Sequence, residues 1–276
     1  MNAWRAGTMP IGMFIEFAKE VGVDGIEILD AFLYEPGVVR DHLPDQEFVL
    51  KFTQQTEEAL ARTGIKVHAL SITNDFNHLN PTRLKLERSK IEFGISLARL
   101  FDAPVVRVFS GNPTSTDGIE LVRFGTIDAL KDLSAPGVTL ALENHGAVFA
   151  TPSRINSILE PIKKRNVGLC FDIGNFLLAD VDPVEAALLL PAPSLIHVKD
   201  FTFTEQGSYR SNSGKGYDGC RLGDGVVPIK ETLKVLLEKL DGKPIAIDLE
   251  LECGEDGIES TRLGVEWLRE AVARIA

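Results

Sequence analysis

Four separated segments of this chain share one construction: a short run rich in Val, Ile or Leu that ends on a residue able to bind a metal. They are LALENH with Glu143, VGLCFDIGN with Asp172, SLIHVKD with His197, and PIAIDLELE with Asp248 and Glu250. In a parallel α/β barrel, strand C-terminal ends converge on one mouth, where catalytic residues sit. Carboxylates with one imidazole are hard-to-borderline donors suited to a divalent ion: Mn²⁺, Mg²⁺, Co²⁺ or Zn²⁺. The pattern points to a divalent-metal enzyme.

The rest of the chain is compatible with such a barrel. Its 276 residues, 44% hydrophobic, suffice for one large core and match the usual length of a (β/α)₈ barrel. Strand-like and helix-like segments alternate, with no linker or composition break, so residues 1–276 read as a single α/β domain. Strands are expected at 25–29, 65–70, 104–109, 138–143, 167–172, 194–199 and 244–250. Helices are expected at about 10–21, 45–63, 81–102, 115–133, 152–164, 183–190, 228–240 and 257–274. Asn80-Pro81, Thr151-Pro152 and Asp182-Pro183 each place a capping side chain before a first-turn proline. Gly22, Gly64 and Gly242 stand where left-handed helix ends are expected. Only MNAWRAGT precedes the first helix, so the first barrel strand is shortened (Ala3-Trp4-Arg5) or missing. An open edge there suggests a homo-oligomer contact.

Composition excludes several classes. A formal charge of −11 argues against nucleic acid, whose phosphates require clustered Lys and Arg. It leaves open a small polyol or sugar, recognised locally. Three cysteines without CxxC spacing suit a reducing cytoplasm better than a disulfide framework. Neither a signal peptide nor a membrane-spanning apolar run is seen, so a cytoplasmic protein is expected.

Alternation along each strand decides which side chains face the barrel axis. Leu140 and Leu142 share one parity, Glu143 and His145 the other. Ile245, Ile247, Leu249 and Leu251 face the helices, so Asp248, Glu250 and Glu252 point inward, rising roughly 7 Å per pair toward the mouth. Acids stacked on one barrel strand are costly unless a cation or solvent compensates them, and a metal at Asp248 or Glu250 would do so. Lys199 shares the inward parity of His197, which favours a metal-binding over a packed histidine. Lys199 itself would hold a substrate oxygen or pair with a neighbouring carboxylate. His145 is either a contact to substrate or a packed histidine under the rim. Glu27, a charge inside the run GIEIL, requires a polar partner, either the substrate or a nearby Lys or Arg, and Asn74 lies in a mouth loop as a substrate contact. The polar, Gly-rich segment 201–225 should cover the mouth as a lid or substrate loop, with Arg221 reaching a substrate oxygen or solvent. No phosphate-binding glycine fingerprint occurs there.

These residues lie in segments that resemble the xylose isomerase-like TIM-barrel superfamily, in its sugar phosphate isomerase/epimerase branch. The segments run in order from FAKEVGVDGIEI through SITNDF, PVVRVF, LENH, FDIGNF and IHVKD to LGDGVV, and span nearly the whole chain. The resemblance implies a (β/α)₈ TIM barrel with Glu143, Asp172, His197 and Asp248 as ligands of one divalent metal. Asp248 stands at the family's glutamate, one methylene shorter, and Glu250 substitutes or assists. Asn175, a substrate contact here, replaces a histidine found in some relatives. The histidines of the three-metal AP-endonuclease members are absent.

The resemblance further implies an aldose-ketose isomerase or ketose epimerase that removes a proton beside a carbonyl. Glu143 and Asp248 would be the acid/base pair, with Glu250 in reserve. An alternative is a dehydratase of a ketopolyol such as inosose or dehydroshikimate, with Lys199 or His145 protonating the leaving hydroxyl. A further alternative is a non-catalytic barrel subunit. The lack of a clustered phosphate pocket favours an unphosphorylated sugar or polyol.

Overall fold

Strands too apolar to face water on either side must be covered by helices, and the chain supplies them in alternation. The computed structural model describes residues 9–35, 38–111, 113, 116–162, 166–253 and 257–275. In chain order its elements are α1 (Ile11–Val21), β1 (Gly25–Leu29), α2 (Gln46–Thr63), β2 (Lys66–Ser71), α3 (Pro81–Leu100), β3 (Val105–Val108), α4 (Thr116–Asp132) and β4 (Thr139–Glu143). There follow α5 (Gly146–Phe149), α6 (Pro152–Ile162), β5 (Val167–Asp172), α7 (Ile173–Leu178), α8 (Pro183–Leu189) and β6 (Leu195–Val198). The last third holds β7 (Asp200–Phe203), β8 (Tyr209–Arg210), β9 (Gly216–Cys220), α9 (Ile229–Leu240), β10 (Ile247–Leu249) and α10 (Gly257–Ile275).

Seven strands pair in parallel in the order β1-β2-β3-β4-β5-β6-β10, a nearly closed barrel in one domain. The expected first strand at Ala3-Trp4-Arg5 lies outside the described residues. Between the end strands β1 and β10, beneath α10, lies a cavity of about 410 Å³ lined by residues including Val23, His68, Ile245 and Leu268.

Helix boundaries follow local chemistry. The Asn80 side chain accepts from the N–H groups of Thr82 and Arg83, and Asp182 accepts from Val184, each ahead of a first-turn proline. Gly22 and Gly64 end α1 and α2 in the left-handed conformation. Helix α9 ends at Leu240 as expected, and Asp241 and Gly242 after it are both left-handed.

Two differences from the sequence reading have clear causes. Part of segment 201–225, expected as a loop, forms a three-stranded antiparallel sheet in the order β7-β9-β8. Phe201 and Tyr217 on this sheet pack into the core, while Phe203, on the same face as Phe201 by strand parity, lies at the exposed end of β7 with its ring edge-on to Tyr217. The short helix α7 begins directly at Asp172, whose side chain caps it by accepting from the Asn175 N–H.

Apolar side chains pack on both sides of the barrel wall. Outside, large aliphatic and aromatic residues join the strands to the helices in two lobes, one around β1–β4 and one around β5, β6 and β10. Inside lies a small floor of Ala69, Val105, Ala141, Cys170 and Leu195. Charged side chains occupy the barrel above that floor.

Close packing of α3 on the barrel predicts the effect of adding one methyl group. A Cβ at Gly94 would meet Ile72 Cγ1 at 2.5 Å, whereas one at Gly12 in α1 would meet nothing within 4 Å. Gly94→Ala should therefore lose about 1–3 kcal/mol to overpacking despite its better helix propensity. Gly12→Ala should gain about 0.5–1 kcal/mol. Denaturant midpoints of the two variants would check both signs.

Candidate metal centre

Strand register builds the centre. Asp172 of β5 pairs with His197 of β6, and His197 pairs with Asp248 of β10, so these three residues form one cross-strand row. Glu143 ends β4 one step below, opposite Cys170, which is opposite Leu195. All four expected metal ligands are buried, with Asp172 and His197 fully so.

His197 is the hub. Its Nε2 lies 3.0 Å from Glu27 Oε2, and its Nδ1 lies 3.1 Å from Glu250 Oε1. A register shift in the β1–β2 pairing falls between Ile26 and Glu27, a device that re-aims side chains near functional sites. Ser71 on β2 donates to the same Glu27 carboxylate, so among the described residues Glu27 contacts His197 and Ser71 rather than the expected Lys or Arg. Three ligand-competent groups share His197: Glu143 with Cys170, Glu27 with Asp248, and Asp172 with Glu250. Within each, the donor atoms lie within 4.8 Å of one another. The other three expected ligands thus gather around His197, but through three overlapping groups.

Both Glu143 oxygens are engaged. Arg107 Nε lies 3.0 Å from Oε2, and Asn175 Nδ2 donates to Oε1 at 3.0 Å. Asn175 therefore orients Glu143. Lys199 reaches three carboxylates, with Asp172 at 2.8 Å, Glu250 at 2.9 Å and Glu252 at 3.0 Å. Of its two expected roles, carboxylate pairing is the one seen. A Cβ at Gly174 would meet Lys199 Cγ at 2.5 Å, which explains the glycine in FDIGN.

The remaining expected contacts are placed as follows. Asn74 is buried, and its amide both donates to and accepts from the Phe109 backbone, at 2.7 and 2.8 Å, tying two mouth loops together. His145 stacks on the Phe109 ring at 4.2 Å between centroids. The Arg107 guanidinium lies 4.0 Å from the same ring centroid. Arg221 pairs with Asp224 in the lid at 2.7 Å and is about one-third exposed. The lid itself is fastened by Asp200, which accepts from the backbone N–H groups of Phe201, Gly223, Gly225 and Val227.

Two residues that the sequence reading did not single out shape the centre. Arg107 is an inward charge within PVVRVF, a signal of the same kind as Glu27. Asn144 is fully buried; it donates to the Asp172 carbonyl at 2.9 Å and accepts from the Asp172 N–H at 2.7 Å. A polar residue on the helix-facing parity of β4 was the available sign.

Burial and charge oppose one another throughout. Burial pushes Asp172 up to about 7, even with Lys199 beside it. Burial also raises Glu27, more than its contact with His197 lowers it. For Glu143 burial is outweighed by Arg107 and His197, which hold its pKa below the usual range. Lys199 and His197 likewise override burial and hold Glu250 well below. Burial disfavours charge on His197, but Cys170, Glu27 and Glu250 raise its pKa well above the usual value. Burial drives the Cys170 thiol up to about 12.

Among the described residues, the acids Glu27, Glu143, Asp172, Asp248, Glu250 and Glu252 outnumber the cationic groups around them, Arg107, Lys199 and the ionisable His197 and His145. The excess of carboxylates, with imidazole nitrogen at its centre, fits a divalent cation in both charge and donor type.

A family model described as xylose isomerase-like TIM barrel matches residues 15–271. The chain belongs to that family. Comparison with curated proteins finds no match. Among solved structures, the chain is similar to the IolI protein with a binding zinc atom, at 16% identity and a TM-score of 0.74 over 100% of this chain and 98% of that one. It is also similar to 3-keto-D-glucoside 4-epimerase from E. coli in its apo form, at 17% identity and a TM-score of 0.66 over 95% and 94% of the two chains. A third similar structure is the probable 3-DHS dehydratase from Bacillus anthracis, at 16% identity and a TM-score of 0.69 over 93% and 92%. At these identities the structures show a shared fold. No helix among the family member's described residues is long and apolar enough to cross a membrane.

Two measurements follow from this electrostatic arrangement. Metal ligation requires ionised Asp172 and an unprotonated nitrogen on His197. Divalent-ion affinity should therefore weaken as pH falls, first as His197 takes up a proton and further as Asp172 does near about 7, with protons released on binding. Calorimetry in buffers of different ionisation enthalpy would count them. Lys199→Met removes the cation shared by three carboxylates. It should cost about 3–5 kcal/mol of stability without metal, and added Mn²⁺ should restore part of the lost Tm.

Proposed function

We propose that this family member is a divalent-metal-dependent epimerase or isomerase of a sugar or polyol, acting by proton removal beside a carbonyl. The row Asp172–His197–Asp248 at the strand ends, with Glu143 adjoining it, carries the reading. A divalent ion bound there would supply the positive charge against which an enediolate develops.

The acid/base work falls to the chain's own carboxylates. Glu143 accepts the proton from the carbon beside the carbonyl. Arg107 and Asn175 fix its orientation, and Arg107 keeps it ionised. Asp248 lies beyond β5 and β6 and returns a proton from another side, with Glu250 as the reserve group. Phe109, held by stacking with His145 and Arg107, offers an apolar surface to substrate carbon. The epimerase among the similar folds supports this reading.

A dehydratase is the second reading. It is favoured by Lys199, a buried ammonium among the same carboxylates that would protonate a leaving hydroxyl. The dehydratase among the similar folds supports it.

The test is deuterium exchange. Protein loaded with Mn²⁺ in D₂O is incubated with ketoses and ketopolyols and followed by NMR. Incorporation of carbon-bound deuterium with formation of an epimer or aldose is expected, and Glu143→Gln should reduce it by about 10²–10⁴-fold. Exchange with loss of water would select the dehydratase. Stoichiometric metal without exchange across the panel would count against both.

A further inference from the structure

The apolar floor inside the barrel contains one side chain with a donor atom. Ala69, Val105, Ala141 and Leu195 have none, but Cys170 carries a thiol and is fully buried. In the strand ladder it stands opposite Glu143 on one side and Leu195 on the other. Its sulfur, a Glu143 oxygen and a His197 nitrogen lie within 4.8 Å of one another. The completely buried His197 ring faces Glu27 on one nitrogen and Glu250 on the other, but neither contact is aligned as a hydrogen bond. Buried polar atoms are almost always well satisfied, so this loosely aligned set of donors suits a bound cation.

We propose that Cys170 is a further ligand of the divalent ion, acting with His197 and Glu143 from the barrel floor and biasing the centre toward Zn²⁺ or Co²⁺ over Mg²⁺ and Mn²⁺. The proposal rests on the metal reading above and adds a donor to it. On coordination the S–H bond breaks, the proton passes to solvent and the sulfur lone pair forms the bond to the ion. No change of oxidation state is involved. Soft thiolate favours zinc and cobalt, whereas magnesium and manganese prefer oxygen donors. A cysteine that merely filled space would have no influence on metal choice.

Cobalt distinguishes the two roles without reference to turnover. The full-length protein is freed of metal with chelator and titrated with Co²⁺ while its absorption is recorded. Visible d–d bands report a bound ion, and an intense near-ultraviolet band reports thiolate-to-cobalt charge transfer. Both are expected in the parent protein and in the double variant Cys220→Ser/Cys253→Ser, which retains only Cys170. In Cys170→Ser the near-ultraviolet band should vanish while the d–d bands persist, and the preference for Zn²⁺ over Mg²⁺ should fall by about tenfold or more. Should Cys170→Ser not fold, the double variant decides the matter alone. Visible bands without the charge-transfer band in the parent protein would overturn thiolate ligation and leave the metal reading standing. Failure to bind cobalt at all would overturn both.

Discussion

Burial of several carboxylates around a single imidazole is the constraint on which the rest of this barrel depends. Removing an isolated charge from water costs far more than any one contact returns, so each acid inside the barrel needs a counter-charge or a hydrogen-bond donor. The chain answers with Arg107 on Glu143, Lys199 among Asp172, Glu250 and Glu252, and His197 between Glu27 and Glu250. Acids still outnumber cations in the described cluster, an excess that a divalent ion would offset.

Scaffold and site are coupled through backbone contacts as well as charge. Asn144 bridges the ends of β4 and β5 through the Asp172 backbone, holding two candidate ligand strands in fixed relation. Asp172 also caps α7, so its carboxylate is restrained by the element it starts. Asp200 draws the loop around Gly223–Val227 against β7. A Cβ at Gly225 would meet the Asp200 carboxylate at 2.1 Å, which accounts for the second glycine of LGDGVV. Motifs that look like family signatures in one dimension are close approaches in three.

Much of this was legible along the chain. Period-two alternation put Glu143, Asp172, His197, Lys199, Asp248 and Glu250 on one face, and the structure places them together in the buried centre. Arg107 carries the same kind of signal as Glu27, an inward charge within an apolar run. Asn74 was legible only as a polar loop residue. Its engagement with the Phe109 backbone depends on two connections meeting after β2 and β3. The lid strands are short and interrupted by glycines, so their pairing across β9 leaves little local signal in the sequence.

The sequence by itself determined the alternating elements, the inward parity of the acids and the donor types available, because these follow from local periodicity and side-chain chemistry. Only the tertiary structure decided which of those donors meet. The register of β5, β6 and β10 sets Asp172, His197 and Asp248 in one row, and the step at β4 brings Glu143 beside Cys170. The contact of Glu27 with His197 spans strands far apart in sheet order. Such distances are fixed by inter-strand stagger and barrel closure, which no single segment encodes.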